Sequence, residues 1–366
     1  MRQKRMLAAL LSLLLTFSLA ACGTGTESVT VLREWDAPQH DEETVSGTGR
    51  DFRIGMVTDI SGIHDESFNQ GAWEGLQALS ESTGCTVDYI ETVSQDDFVD
   101  NFTAMAKQGF QLIWGIGYAC GDAMLEVAKQ YPDIHFAVID SAYAEPPSNV
   151  TGVTFHAEEA SFLVGYIAES MNTTGKLGFV GGISSELIDQ FQYGYQAGVA
   201  YADWQSGKNT EVLIRYVGSW TDTELGYQLA DELYNRHCDI IYHAAGGSGT
   251  GVINAARDRG LFAIGVDRDQ AYLAPKNVLT SALKRVNVAV VQVSRDFMEE
   301  REIGGTNFLF GLAEGAVGIP EGHANYSDEI YDAALRAADD IIAGRITPPA
   351  TEEGYNEFMT LLARQR

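Results

Sequence analysis

Arg53-Ile54-Gly55-Met56-Val57-Thr58 leads directly into Asp59-Ile60-Ser61-Gly62-Ile63-His64-Asp65-Glu66-Ser67-Phe68-Asn69-Gln70. A short apolar run of strand length, without alternation, suits a strand covered on both faces, which is the situation in a parallel sheet. The stretch after it, Ser67 to Ser82, has helical spacing of its apolar residues. Strand, polar loop and helix together make the first unit of an α/β fold. Asp59 stands at the carboxyl end of the strand, Gly62 permits a turn, and Phe68-Asn69 opens the helix. An acidic, an aromatic and an amide group therefore converge at one edge of the sheet.

The same unit recurs downstream. Strands are expected at Thr86 to Glu91, Leu112 to Gly115 and His135 to Asp140, with helices near Asp97 to Gln108 and Gly121 to Tyr131. The pattern restarts with a strand at Lys176 to Val180 and a helix from Ile188 to Trp204. Strands at Glu211 to Val217, Ile240 to Ala244 and Phe262 to Val266 then alternate with helices at Thr223 to Arg236 and Gly251 to Arg259. Repeated alternation predicts parallel sheets with helices on both faces, in two domains whose halves are architectural repeats. Such sheets bind ligands at the carboxyl ends of their strands, so two facing sheets place their binding edges across one cleft. Val278 to Met298 and Asn307 to Arg366 are expected to cross between the domains. The divisions read from the sequence are 51–153 plus about 279–310 for the first lobe, and 154–278 plus about 311–366 for the second.

Ahead of the folded region lies a different composition. Arg2, Lys4 and Arg5 precede an apolar stretch from Met6 to Ala21 that ends in Leu19-Ala20-Ala21-Cys22. The stretch is shorter than the roughly 20 residues that span a bilayer, and small residues precede Cys22, so residues 1–21 are expected to be a cleaved signal peptide. Leu-Ala-Ala-Cys resembles the bacterial lipobox, which implies a diacylated Cys22 as the new N-terminus, a palmitate-type anchor on the outer face of the cell membrane. Residues 22–50 are rich in Thr, Ser, Gly and acids and are expected to be a flexible tether. As a coil, its 28 residues after Cys22 would reach roughly 30 Å.

Removing three cations and no anions with the leader moves the formal charge from −27 to −30. Nucleic acid, which demands a basic footprint, is excluded as a partner on that ground. Cys85, Cys120 and Cys238 remain, without Cys-x-x-Cys spacing, and are expected to be buried thiols.

Several motifs were tested for catalysis. Gly246 to Gly251 lacks the Lys-Ser/Thr of a phosphate loop, and Gly115-Ile116-Gly117 lacks a third glycine at dinucleotide-binding spacing. The seven histidines form no His-x-x-x-His pair, and no Gly-x-Ser-x-Gly elbow occurs. No catalytic residue, metal or cofactor is expected.

Several ordered segments together resemble the basic membrane protein family of bacterial lipoproteins, whose best-understood branch binds purine nucleosides for ABC uptake. They are Asp59 through Leu76, Gly181-Gly182, Tyr216 to Trp220, Ala244 to Gly251, Gly265 to Gln270 and Leu279 to Arg285, and the likeness covers nearly all of residues 52–349. The resemblance implies a two-domain periplasmic-binding-protein fold of type I that closes on a nucleoside and docks, as a monomer, on an ABC permease. By position, Asp59 and Asn69 would bond the base, Phe68 would stack on one face, and Trp220 would take the opposing place, where the family often has phenylalanine. Gly246 or Gly247, Asp267 and Lys284 resemble the ribose-binding set, with Asp140 an addition at another strand end. The chemistry agrees. A carboxylate accepts from two neighbouring hydroxyls, an ammonium donates to a sugar oxygen, and glycines let backbone N–H groups approach closely. Residue types alone also fit blander roles: Asp59 and Ser67 as caps, Phe68 and Trp220 as core, and Asp267 with Lys284 as a buried ion pair between domains. A sensor lipoprotein using the same cleft, or a receptor for a sugar or other small polar ligand, is the alternative function.

Overall fold

In the computed structural model, which describes residues 32–34 and 49–365, alternate residues of the first long strand enter different cores. Ile54 and Met56 of β2 (Arg53–Val57) pack in one apolar cluster and Val57 in another. Period-two alternation of apolar side chains to both faces is what a sheet sandwiched between helices requires.

The first lobe is built on β2, β3 (Thr86–Ile90), β4 (Leu112–Ile116), β5 (His135–Ile139) and β6 (Val150–Phe155), joined by α1 (Phe68–Thr83), α2 (Phe98–Lys107) and α3 (Gly121–Gln130). Chain order then enters the second lobe through α4 (Ala157–Met171). There follow β7 (Lys176–Gly181), α5 (Glu186–Ser206), β8 (Glu211–Tyr216), α6 (Thr223–Asn235), β9 (Ile240–Ala244), α7 (Gly249–Arg259), β10 (Phe262–Asp267) and β11 (Val278–Lys284). The chain returns to the first lobe for α8 (Val286–Met298) and β12 (Thr306–Phe310). It ends in the second with β13 (Val317–Gly318), α9 (Asp328–Ile342) and α10 (Glu352–Arg364). With β1 at Leu32–Glu34, the sheets run β1-β12-β6-β5-β4-β2-β3 and β13-β11-β10-β9-β7-β8. Every pairing is parallel except that of β11 with β13.

Three connections cross between the lobes, at His156, Arg285 and Gly311–Ala316, and they are stitched together. His156 N donates to Phe310 O at 2.8 Å and Arg285 N to Ala316 O at 2.7 Å. This two-sheet α/β arrangement is the periplasmic-binding-protein fold expected from the sequence. The lobe divisions differ from that reading. Residues 279–284, assigned by sequence to the first lobe, belong to β11, which pairs with β10 and β13 of the second sheet, and the crossing follows Lys284. The tether is also not uniform. Leu32–Glu34 pairs in parallel with Asn307–Leu309 at the sheet edge, and Gly49–Asp51 forms a 3-10 turn. Cys22 and the leader lie outside the described residues.

Local sequence sets the entry to α1. The Asp65 carboxylate accepts from Ser67 N at 3.0 Å, Asn69 N at 2.8 Å and Gln70 N at 3.1 Å. It thus serves the N–H groups that a helix start leaves without partners, and its charge suits the positive end of the helix. Asp65, rather than Ser67, therefore does the capping. Cys85, Cys120 and Cys238 are free and buried, as expected.

Candidate functional site

Strand ends from both sheets meet in a cleft that encloses about 870 Å³, including its open mouth. Seven of the nine ligand-binding residues expected from the sequence line it: Asp59, Phe68 and Asp140 from the first lobe, and Trp220, Gly246, Asp267 and Lys284 from the second.

Asp59 follows β2. Its Oδ1 accepts from Ser61 N at 2.7 Å and from Asn69 Nδ2 at 2.8 Å. The carboxylate, which also takes a hydrogen bond from the Ser61 side chain, lines the cleft. Burial pushes the Asp59 carboxyl up to about 6, and the nearby Asp65 charge adds to the effect against its hydrogen bonds.

Asn69 does not line the cleft. Fully buried, it accepts from Asp59 N at 3.1 Å through Oδ1 and divides its amide protons between Asp59 and Asp65. With both donors and its carbonyl engaged, it orients Asp59. Gly246, at φ 53°, lines the cavity, whereas Gly247 lies against the Trp220 carbonyl. The choice left open by sequence falls on Gly246.

At the opposite end, Asp140 follows β5 and Asp267 ends β10, the equivalent edge positions of the two sheets. Both hold left-handed backbone, φ 64° and 65°. Such a conformation is uncommon outside glycine, and its cost is carried where surrounding structure dictates a side-chain direction. Lys284, the last residue of β11, lies between them. Its Nζ donates to Asp140 Oδ2 at 2.5 Å, with both side chains 4% exposed. Its ammonium also sits 4.6 Å from the Phe68 ring centre and 5.2 Å from that of Phe155, favourable distances for a cation on an aromatic face. The sequence reading puts Lys284 and Asp267 together in a ribose-binding set, with a buried ion pair between them as the blander role; the ion pair that Lys284 makes is with Asp140. Asp267 accepts from the Ser67 hydroxyl of the first lobe. Burial pushes Asp267 up to about 6, with the Lys284 charge drawing it partly back. Asp140 Oδ1 is buried with no hydrogen-bond partner, a costly state that a ligand hydroxyl would relieve.

Between these polar ends the walls are apolar. Phe98, Ile183, Leu187, Ile188 and Phe191 contribute, with Tyr118 at the mouth. Sequence reasoning passed over all of them. The signal available was position, since each lies within about a dozen residues after a strand end. Trp220 rests against Gly182, where an added Cβ would overlap its ring. The lining combines carboxylates that can accept hydrogen bonds, the Lys284 ammonium and the aromatic rings of Phe68 and Trp220. Among the described residues no cluster of His, Cys, Asp and Glu could hold a metal ion.

Two α/β lobes, three crossings and a buried, polar-ended cleft define a protein that binds a small ligand between its lobes. Residues 52–352 match the family described as ABC transporter substrate-binding protein PnrA-like, and the chain belongs to that basic membrane protein family. It is 37% identical to basic membrane protein A of Borreliella burgdorferi, covering 84% of this chain and 90% of that one. Identity is 35% to the ABC transporter nucleoside-binding protein BmpA of Lactococcus lactis, covering 85% and 93%. A solved ABC transporter solute-binding protein from Aeropyrum pernix superposes with a TM-score of 0.75 at 26% identity, over 86% of this chain and 98% of that one.

Proposed function

We propose that the chain captures a nucleoside, with a purine base, at the outer face of the cell membrane and delivers it to an ABC permease without altering it. The observation that carries this reading is the division of the cleft into an aromatic middle and two different acidic ends. Phe68 and Trp220 receive the two faces of a planar base, and Asp59 Oδ2 accepts from its N–H edge. Asp267 and the unpartnered Asp140 Oδ1 accept from ribose hydroxyls, with Lys284 donating to a sugar oxygen and balancing the two carboxylates. The name of the Lactococcus relative supports nucleoside as the ligand class. Lipidation at Cys22 would hold the receptor near its permease.

Calorimetric titration tests the reading. Guanosine, inosine and adenosine are expected to bind, free base and free ribose to bind far more weakly, and base and ribose to remain undetected after prolonged incubation. Equal affinity for free ribose and a nucleoside would turn the assignment toward a sugar receptor. Release of free base that scales with protein and survives repurification would make the chain an enzyme.

A further inference from the structure

A second set of contacts joins the lobes outside the ligand cavity. The loop after β10 reaches from the second lobe to the start of α1 in the first. Arg268 donates to the Glu74 carboxylate at 3.1 Å, Gln270 Nε2 donates to Glu66 O at 2.9 Å, and the Tyr272 hydroxyl donates to the Glu66 carboxylate. The Arg268 guanidinium also lies 5.5 Å from the Tyr272 ring centre. Gln270 is a rigid arm. Fully buried, it accepts from Val266 N at 3.0 Å and takes the Ser281 hydroxyl oxygen as acceptor for its own N–H at 3.1 Å. On the other side, Glu66 holds left-handed backbone at φ 55°, which presents its carbonyl and carboxylate to one loop.

None of Glu66, Glu74, Arg268, Gln270 and Tyr272 lines the ligand cavity. Glu74 and Arg268 instead line a separate space between the lobes, divided from that cavity by Phe68, Asp267 and Lys284. These contacts exist only while the lobes are together, so they favour closure by whatever they contribute. A ligand's apparent affinity includes the closing equilibrium, and a contact made only in the closed form raises it equally for every ligand.

We propose that the 268–272 loop is a closure latch, whose residues act as positioning residues that set the rate of ligand release without contacting the ligand. The proposal rests on the binding reading above for its ligand but not for its geometry. Exposed contacts of this kind are individually modest, and the Glu74 and Arg268 side chains are 46% and 26% exposed.

The test uses the full-length protein, radiolabelled guanosine release, and calorimetry with guanosine, inosine and adenosine. Tyr272→Phe and Glu74→Gln should each speed release roughly two- to fivefold and weaken all three nucleosides by one common factor. Arg268→Gln added to Glu74→Gln should cost less than the product of the two single effects, because both delete the Arg268–Glu74 bond and only the Arg268 contact with the Tyr272 ring remains to be lost, while Tyr272→Phe added to Glu74→Gln should multiply. Unchanged release, or factors that differ among the nucleosides, would overturn the latch. If the wild type bound no nucleoside, the functional reading would fail and small-angle scattering of the unliganded protein would decide the latch. The combined Glu74→Gln/Tyr272→Phe protein should then have a larger radius of gyration than wild type, and an equal radius would overturn the proposal.

Discussion

Gly182→Ala places one methyl group where the structure leaves room for none. An added Cβ would overlap Cζ3 and Cε3 of Trp220 and lie 3.0 Å from Cη2. Carbon atoms settle at roughly 3.5–4.0 Å, so the indole must move by roughly 1.5 Å. Because Trp220 lines the cavity and Gly182 does not, the ring moves toward the ligand's space. An aromatic contact contributes about 0.5–1.5 kcal/mol beyond its area. Losing roughly 60 Å² of buried ring face adds about 1.5 kcal/mol. Guanosine should therefore bind roughly 30- to 150-fold more weakly, equivalent to about 2–3 kcal/mol. Folding should be little affected, since the displaced ring swings into open cleft rather than into core. Calorimetry on Gly182→Ala, Trp220→Ala and the double variant, with circular dichroism as a fold control, provides the measurement. The double variant should bind no worse than Trp220→Ala. Binding by Gly182→Ala within twofold of wild type, or a full additional loss in the Trp220→Ala background, would refute the reasoning.

Other outcomes follow from the same geometry. Asp267→Ala and removal of the ligand's 2′-hydroxyl should each cost on the order of 1.5–3 kcal/mol, and together much less than the sum, because both delete one interaction; calorimetry of both proteins with guanosine and 2′-deoxyguanosine measures this, and full additivity would reassign the sugar contact. Burial raises the pKa values of Asp59 and Asp267 from 3.8 to about 6, so the protein takes up protons on folding between roughly pH 4 and 6 and loses stability as pH rises through that window. Ligand donors favour the ionised carboxylates, so affinity should fall as pH drops through about 6, by up to about tenfold per unit for each group, and level off above about pH 7; titrations at successive pH values check it, and a constant Kd from pH 5 to 7.5 would contradict it. Cys22→Ala should move the protein from the membrane to the soluble fraction, and persistence on the membrane after a salt wash would count against the lipid anchor.

The repeated strand and helix units were legible because parallel strands buried on both faces read as apolar runs wherever they occur. Asp59 and Phe68 could be placed at the cleft because ligand edges of such sheets lie at strand ends, whereas Asp267 was implied by the family resemblance. What escaped depends on contacts between distant residues. Val278–Lys284 is buried along its whole length like strands of either lobe, so its sheet is set by pairing with β10, which no local pattern records. Asn69 looks like a ligand amide until Asp59 and Asp65 are seen to occupy it. The pairing of Lys284 with Asp140 joins the ends of β11 and β5, which lie in different sheets and 144 residues apart in sequence. The left-handed backbone of Asp140 and Asp267 carries no composition signal, since glycine is the usual marker for it.

The central claim, that the cleft between the lobes holds a nucleoside, is tested most directly by identifying what the protein carries. Mass spectrometry of the small molecules released on denaturing the purified wild type should reveal a purine nucleoside in near-stoichiometric amount, lost from protein carrying both Phe68→Ala and Asp267→Ala. A different molecule in that amount, absent from the double variant, would contradict the assignment and name the true ligand of the same cleft.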